Sequence, residues 1–278
     1  MLRQRVITAL IMAGLFLAAV VFLSLPWLAL LFGILICLGA WEWSRLCGWE
    51  HPASRAAYVV VIAAVMGFLY HYCQLADVPE REQVQPFLGL ACLWWSLALL
   101  WVKGYPGSAV FWRTTAMRNL MGVLVLAPAW LAAVYMVSFP RGGGLIVVMV
   151  LIVASADIGA YFSGKTWGKH KLAEVVSPKK TWEGFWGGMA ACMLMALLLW
   201  SQLPMQQAHV SLVAVLVVAM ATALASVVGD LTVSMVKREA GLKDSGSLLP
   251  GHGGVLDRLD SLCGASPVFA LGLLLAGW

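Results

Sequence analysis

Four aspartates and four cations crowd into residues 230–260, at the end of an apolar segment in a chain that otherwise carries few charges. The segment reads D-L-T-V-S-M-V-K-R-E-A-G-L-K-D-S-G-S-L-L-P-G-H-G-G-V-L-D-R-L-D. The charged residues are Asp230, Asp244, Asp257, Asp260, Lys237, Arg238, Lys243 and Arg258. Acidic side chains contribute little to membrane topology, so carboxylates among cations need another explanation. Divalent-metal and phosphate chemistry provides one.

The spacing within this segment predicts which side chains lie together. Asp230, Ser234 and Arg238 recur every four residues, so they share one face of a predicted helix. Asp257 and Asp260 are three residues apart and face the same side if residues 256–260 are helical. Paired carboxylates suit Mg²⁺, which is bound by carboxylates together with substrate phosphate oxygens. Glycines between these residues predict a loop whose backbone approaches a phosphate closely. They are Gly241, Gly246, Gly251, Gly253 and Gly254.

A second polar constellation lies at the end of another apolar segment, in S-A-D-I-G-A-Y-F-S-G-K-T-W-G-K-H-K-L (155–172). Asp157 lies inside the predicted helix, about eight residues before Lys165. An ionisable side chain at that depth normally faces a cavity or a partner. Tyr161 falls four residues later on the same face. The alternative is an aspartate that hydrogen-bonds a neighbouring helix and serves packing alone.

The third constellation is V-S-P-K-K-T-W-E-G, residues 176–184. Ser177 and Pro178 are typical of a turn. Lys179, Lys180 and Thr181 offer two ammonium groups and a hydroxyl to a phosphate chain. Without the other two segments, a basic loop that sets topology and binds anionic headgroups would explain these residues equally well.

The composition excludes a water-soluble globule. The chain of 278 residues is 62% hydrophobic and 11% charged, with a mean hydropathy of +0.89, whereas soluble domains carry roughly 25% charged residues. Nine apolar segments approach the length of a membrane span. They are 6–25, 27–44, 57–72, 86–102, 119–138, 144–163, 184–203, 210–229 and 261–278. The first is interpreted as a retained helix, because another apolar segment follows directly.

The distribution of basic residues predicts the orientation. With the N-terminus in the cytoplasm, alternating spans place 16 of the 18 Lys and Arg residues on the cytoplasmic side and leave only Arg81 and Arg141 outside. This asymmetry follows the positive-inside rule, and it explains the net charge of +5 without nucleic acid. We therefore predict an all-α polytopic membrane protein, N-in and C-out, with a polar cavity open to the cytoplasm. Residues 1–140 form a scaffold and residues 141–278 a catalytic region, within one continuous membrane domain.

Residues Ser234 to Asp260 resemble the signature of phosphatidate cytidylyltransferases, also called CDP-diacylglycerol synthases. The matching pattern is S-x-x-K-R, four residues, K-D, then P-x-H-G-G and D-R-x-D. The segments D-x-G-A-Y-F-x-G-K and S-P-K-K-T-W-E-G are also similar to the family, as are R-x-I-T-A-L and A-W-E-W near the N-terminus. The resemblance covers the whole chain and is firmest over residues 155–261.

The resemblance implies a reaction and its partners. CTP and phosphatidate would give CDP-diacylglycerol and pyrophosphate at the cytoplasmic face of a bacterial inner membrane. It also implies a two-metal site with Mg²⁺, in which the second ion is divalent or monovalent, and it suggests a homodimer among membrane lipids.

The hypothesis assigns roles to three groups of residues. The metal would be held by Asp230, Asp257 and Asp260, with Asp157 completing the shell or orienting a ligand. Lys237 and Arg238 would act with these carboxylates in catalysis. Substrate phosphates would be bound by charged, hydroxyl and backbone groups around the cavity. This group comprises Tyr161, Lys165, Ser177, Lys179, Lys180, Thr181, Ser234, Lys243, Asp244, His252, Gly253, Gly254 and Arg258.

Other classes fit the residues less well. A CTP-dependent polyprenol kinase would transfer the γ-phosphoryl group instead, and the complete S-x-x-K-R to D-R-x-D pattern argues against it. A CDP-alcohol phosphotransferase would need a D-G-x-x-A-R opening that is missing. A transporter would use Asp157 and Asp230 as an ion relay, but the charges gather at one face and no repeat is visible. A purely structural scaffold leaves the carboxylates unexplained.

Overall fold

The computed structural model describes residues 2–76, 79–140, 142–202, 211–249 and 253–277, with side chains from residue 11 onward except residue 12. The chain folds into helices with one small β-hairpin. The helices are α1 (Leu2–Phe22), α2 (Leu25–Leu46), α3 (Pro52–Tyr72), α4 (Arg81–Gly104), α5 (Ala109–Trp112), α6 (Thr115–Ser138), α7 (Gly142–Trp167), α8 (Trp182–Ser201), α9 (Leu212–Glu239) and α10 (Leu256–Leu275). Strands β1 (Lys171–Ala173) and β2 (Ser177–Thr181) connect α7 to α8.

The helices confirm the prediction of a polytopic membrane protein. Eight of the described helices, α2 to α4 and α6 to α10, are long and apolar enough to cross a membrane. The described part of α1 adds the shorter apolar segment Ala13–Phe22. Each predicted span therefore coincides with one long helix of the described chain.

Two helices continue beyond the predicted apolar spans. α9 runs to Glu239 and α7 to Trp167, although the apolar patterns end near residues 229 and 163. The backbone stays helical because α9 packs along α10 and α7 packs along α8. The parts of α7 and α9 beyond the apolar spans are helical, not loops, and they carry Lys165, Ser234, Lys237 and Arg238. Side chains fixed in this way hold their positions more closely than side chains on a mobile loop.

The prediction of a turn at Ser177 and Pro178 is wrong. Both residues lie in β2, and the turn occupies residues 174–176. The strands pair antiparallel, with Lys171 opposite Thr181 and Ala173 opposite Ser177. Proline is tolerated because each strand of a two-stranded sheet is an edge and needs no N–H on its outer side. The carbonyl of Pro178 accepts a hydrogen bond from Lys171 Nζ at 2.6 Å.

Close contact between α7 and α8 depends on small residues. A Cβ atom on Gly159 would lie 2.7 Å from the carbonyl oxygen of Gly187, and one on Gly188 would lie 2.7 Å from that of Ala156. Glycine at both positions lets the two backbones touch, as is common between membrane helices. The pair forms one wall of the candidate site.

Candidate active site

The predicted site segments meet at one end of the helix bundle. A cavity of about 350 Å³ lies between α7, the hairpin and the start of α8, and α9 contributes Val227 to its lining. The predicted site residues that line it are Asp157, Tyr161, Lys165, Lys179, Lys180 and Thr181. Asp157 and Tyr161 share the face that their spacing predicted, and Lys165 Nζ lies 5.8 Å from the centroid of the Tyr161 ring.

The hairpin is fastened to the N-terminus of α8. Thr181 caps this helix, because its Oγ1 accepts a hydrogen bond from the N–H of Gly184 at 3.1 Å. Glu183, in the first turn, accepts hydrogen bonds from the N–H groups of Lys169 and His170 at 3.1 and 3.2 Å. Its carboxylate also lies 2.6 Å from His170 Nδ1. These contacts join both ends of the hairpin to the start of α8, next to Lys180.

Asp230 is the carboxylate that joins α9 to the hairpin. Its Oδ2 lies 2.6 Å from Lys180 Nζ, and its Oδ1 accepts a hydrogen bond from Ser234 Oγ at 3.1 Å. The side chains of Asp230 and Lys180 remain 30% and 28% exposed, so a ligand can reach both. Lys180 also interacts electrostatically with Asp157 and Asp260, so the charge of one ammonium group acts on three carboxylates.

Asp257 forms a separate and more enclosed ion pair. Its Oδ1 lies 2.8 Å from Lys237 Nζ, and the two side chains are only 7% and 9% exposed. Its Oδ2 accepts hydrogen bonds from the N–H groups of Ser245 and Gly254, both at 2.9 Å. The carboxylate is therefore engaged by the protein on both oxygens. Asp260, one turn further along α10, is buried and interacts electrostatically with Asp230.

The acidic side chains at this end of the bundle are the groups that could hold a cation. Across the described residues, no three His, Cys, Asp or Glu side chains form a metal cluster. Asp157, Asp230, Asp257 and Asp260 are nevertheless linked by electrostatic interactions that they share with Lys180 and Lys237. Mg²⁺ is commonly held by one or two carboxylates, water and substrate phosphates, so carboxylates beside a phosphate-sized cavity fit it. Since Asp257 is engaged, the fit depends on the other three carboxylates.

Several predicted residues have local partners in the structure. Arg238 does not join Asp230 and Ser234, because its Nε donates a hydrogen bond to the carbonyl of Val176 at 3.2 Å and so ties the hairpin turn to α9. The N–H of Gly254, expected to face a phosphate, is donated to Asp257 instead.

The other predicted residues of this segment lie, where the structure describes them, in the loop after α9 and the first turn of α10. Gly253 has a positive φ of 85°, and its carbonyl accepts the N–H of Leu249 at 2.9 Å. Lys243 and Asp244 are exposed on the loop after α9, and Arg258 is exposed in the first turn of α10. His252 lies outside the described residues.

Two polar residues that the sequence analysis did not select are buried beside the site. Glu42 of α2 is 2% exposed, and Ser245 of the loop before α10 is 1% exposed. Ser245 Oγ donates a hydrogen bond to Glu42 Oε2 at 2.9 Å. The signal for Glu42 was present, because an ionisable residue inside an apolar span is itself a sign of a functional site. No comparable signal marks Ser245.

A bundle of membrane-spanning helices with a carboxylate- and lysine-lined cavity at one end defines a multi-pass membrane protein with a site for a polar, charged ligand. The chain belongs to the cytidylyltransferase family, whose model matches residues 3–276.

Similar proteins carry names consistent with that family. A phosphatidate cytidylyltransferase of Pseudomonas aeruginosa is 46% identical over 278 residues, which is 100% of this chain and 99% of that protein. A phosphatidate cytidylyltransferase of Haemophilus influenzae is 37% identical over 97% of this chain and 98% of its own length. The chloroplastic phosphatidate cytidylyltransferase 5 of Arabidopsis thaliana is 45% identical over 42% of this chain and 29% of its own length.

Proposed function

We propose that this protein transfers the cytidylyl group of CTP to phosphatidate, giving CDP-diacylglycerol and pyrophosphate. The observation that carries the proposal is the match, over nearly their full lengths, to bacterial proteins named phosphatidate cytidylyltransferase. The structure supports it with a cavity that joins cationic and acidic side chains at one end of the membrane helices.

The reaction needs stabilisation of the negative charge on its phosphate groups more than it needs a strong base. A phosphate oxygen of phosphatidate forms a bond to the α-phosphorus of CTP, and the bond from that phosphorus to the β-phosphate bridging oxygen breaks. The nucleophile is already an anion, so no proton has to be removed by a serine–histidine pair. The main barrier is the repulsion between two polyanions, and fixed cations lower it. Lys165, Lys179 and Lys180 line the cavity and supply such cations.

We further propose that Mg²⁺ binds at Asp230 and Asp260, with Asp157 completing the shell or orienting a ligand, and that a second divalent or monovalent cation joins it. A bound divalent ion would neutralise the triphosphate oxygens and the departing pyrophosphate. In this proposal Asp257 fixes Lys237 rather than binding metal directly, since both of its oxygens have partners.

The orientation and location are part of the same proposal. The site lies where basic residues are most concentrated, so the positive-inside rule favours a cytoplasmic face. With bacterial relatives, the membrane would be the inner membrane, and CTP would enter from the cytoplasm while phosphatidate arrives in the inner leaflet. The homodimer remains a prediction.

Radioactive CTP tests the reaction. We expect the purified protein, incubated with Mg²⁺, phosphatidate and α-³²P-labelled CTP, to produce a chloroform-soluble labelled lipid. With γ-³²P-labelled CTP the label should leave as pyrophosphate. Label from the γ position in the lipid phase, with an added polyprenol, would indicate a kinase. No transfer from either position would contradict the proposal.

Lys180 is expected to contribute strongly to this activity. The substitution Lys180→Ala removes the ammonium group whose Nζ lies 2.6 Å from Asp230 Oδ2. The same side chain lines the cavity. We expect kcat for cytidylyl transfer to fall about 100-fold, the scale for loss of one electrostatic contact in a site. Lys169→Ala is the matched control, because this exposed lysine lies in the same connection but does not line the cavity. Equal activities of the two variants would contradict the role of Lys180.

A further inference from the structure

Glu42 is a buried carboxylate that connects the second helix to the loop and helix carrying Asp257. Its Oε1 accepts the N–H of Val255 at 3.0 Å, and its Oε2 accepts the N–H of Leu256 at 2.8 Å. Oε2 also accepts the hydroxyl of Ser245 at 2.9 Å. α10 begins at Leu256, and its own N-cap residue, Val255, makes no side-chain cap. A carboxylate from α2 therefore caps α10 from outside that helix, where negative charge is also favoured by the helix dipole.

The surrounding backbone is fitted to this carboxylate. A Cβ atom on Gly246 would overlap with Glu42 Oε1, and one on Gly254 would overlap with Ser245 Oγ and Glu42 Oε2. Glycine at these two positions therefore lets the backbone of the loop approach the Glu42 carboxylate closely. The loop wraps around the carboxylate with no room for a side chain at either position.

Ser245 relays this attachment to the Asp257–Lys237 pair. Its hydroxyl is donated to Glu42, while its backbone N–H is donated to Asp257. Gly254 donates its own N–H to the same Asp257 oxygen. The position of the Asp257 carboxylate, and hence of the Lys237 ammonium, thus depends on backbone groups that Glu42 holds.

We propose that Glu42 is a positioning residue for the cytidylyl-transfer reaction, acting through Ser245 and the start of α10 to hold Asp257 and Lys237. The inference rests on the proposed function. The role requires a carboxylate, because three donors converge on its two oxygens. Glutamine has nearly the same shape, but its NH₂ group would face a donor wherever it points. An N–H or hydroxyl would then be left buried without an acceptor.

The test compares Glu42→Gln with Glu50→Gln, an exposed glutamate just after the same helix. We expect Glu42→Gln to lower kcat for transfer from α-³²P-labelled CTP by about 10- to 100-fold, as for residues that orient catalytic groups. KM for CTP should change much less, since Glu42 does not line the cavity. Glu42→Asp keeps the charge on a shorter side chain, and it should recover part of the lost kcat.

A second measurement is independent of activity. Trypsin cleavage after Lys243, in the loop that Glu42 holds, is compared with cleavage after the exposed Lys103 at the end of α4. Loss of buried hydrogen bonds in Glu42→Gln should raise the ratio of the two rates about tenfold or more. Ser245→Ala removes only the hydroxyl contact with Glu42, so it should raise the cleavage ratio less than Glu42→Gln does. If Glu42→Gln does not fold, Ser245→Ala takes its place in the comparison.

The outcomes separate the two proposals. A wild-type protein that transfers no label contradicts the proposed function, whatever the cleavage ratios show. An active wild type with Glu42→Gln equal to Glu50→Gln in kcat overturns the role of Glu42. The same conclusion holds if kcat falls while the Lys243 to Lys103 cleavage ratio stays unchanged, because Glu42 would then not act by holding this loop.

Discussion

Asp230→Asn should reduce cytidylyl transfer by about 10³-fold or more, one of the two largest effects we expect from a single substitution. The amide can still accept a hydrogen bond from Ser234 Oγ, which lies 3.1 Å from Oδ1 in the wild type. It cannot balance the Lys180 ammonium, and it offers a divalent cation no negative charge. The measurement is kcat with saturating phosphatidate and CTP, over a range of Mg²⁺ concentrations.

The matched control for this substitution is Glu174→Gln, which removes an exposed carboxylate from the turn of the same hairpin. We expect its kcat to stay within about twofold of the wild-type value, as for most surface changes away from a site. Retention by Asp230→Asn of more than a tenth of wild-type activity would contradict the central role of this carboxylate, and with it the proposed magnesium site.

Asp257→Ala is expected to affect stability as well as activity. It leaves the Lys237 ammonium, 9% exposed, without the carboxylate that lies 2.8 Å away. Breaking a buried ion pair by removing one partner typically costs about 3–5 kcal/mol, because an uncompensated charge stays buried. The N–H groups of Ser245 and Gly254 lose their acceptor at the same time. We expect a lower thermal midpoint in detergent and no measurable transfer.

A double substitution separates the two effects. In Lys237→Met with Asp257→Ala neither partner of this ion pair is left buried alone, so much of the thermal stability should return while transfer stays absent. Replacing both partners of a buried pair by apolar side chains is often close to neutral for stability. Glu82→Gln, on the exposed first turn of α4, is the control for stability. A fully active Asp257→Ala protein would contradict both the anchoring role and the earlier assignment of Asp257 to the metal.

The helices could be predicted because membrane spans leave a strong signal in the sequence. Long apolar runs are sufficient to locate a span, whichever face each residue uses. The ends were harder to predict, because a helix continues for as long as neighbours support its backbone. The apolar pattern stops at residue 229, and only the four-residue spacing of Asp230, Ser234 and Arg238 indicated that the helix continues, as it does against α10. The hairpin was missed because two strands of three and five residues carry almost no periodicity.

The types of site residue were predictable from the sequence, but most of their pairings were not. An i,i+4 contact such as Ser234 to Asp230 follows from helix geometry alone. The contact of Ser245 with Glu42 spans 203 positions, and nothing local indicates it. The glycine-rich loop was interpreted as a phosphate cradle, yet Gly246 and Gly254 make room for a carboxylate of the protein itself. Residue spacing describes one helix or loop at a time, whereas these contacts join α2, the loop after α9 and α10.

The length of α9 bears on the depth at which the lipid would react. Its 28 residues extend about 42 Å, whereas the hydrocarbon core of a bilayer is about 30 Å thick. With Lys237, Arg238 and Glu239 ending the helix, Asp230 lies roughly 14 Å inside that end. With the whole excess length of about 12 Å projecting at this end, Asp230 would lie about 2 Å inside the edge of the hydrocarbon core, just below the layer of lipid phosphates. Phosphatidate would arrive by lateral diffusion without being lifted from its leaflet, so the rate would follow its mole fraction in the bilayer, while CTP is supplied from the bulk solution.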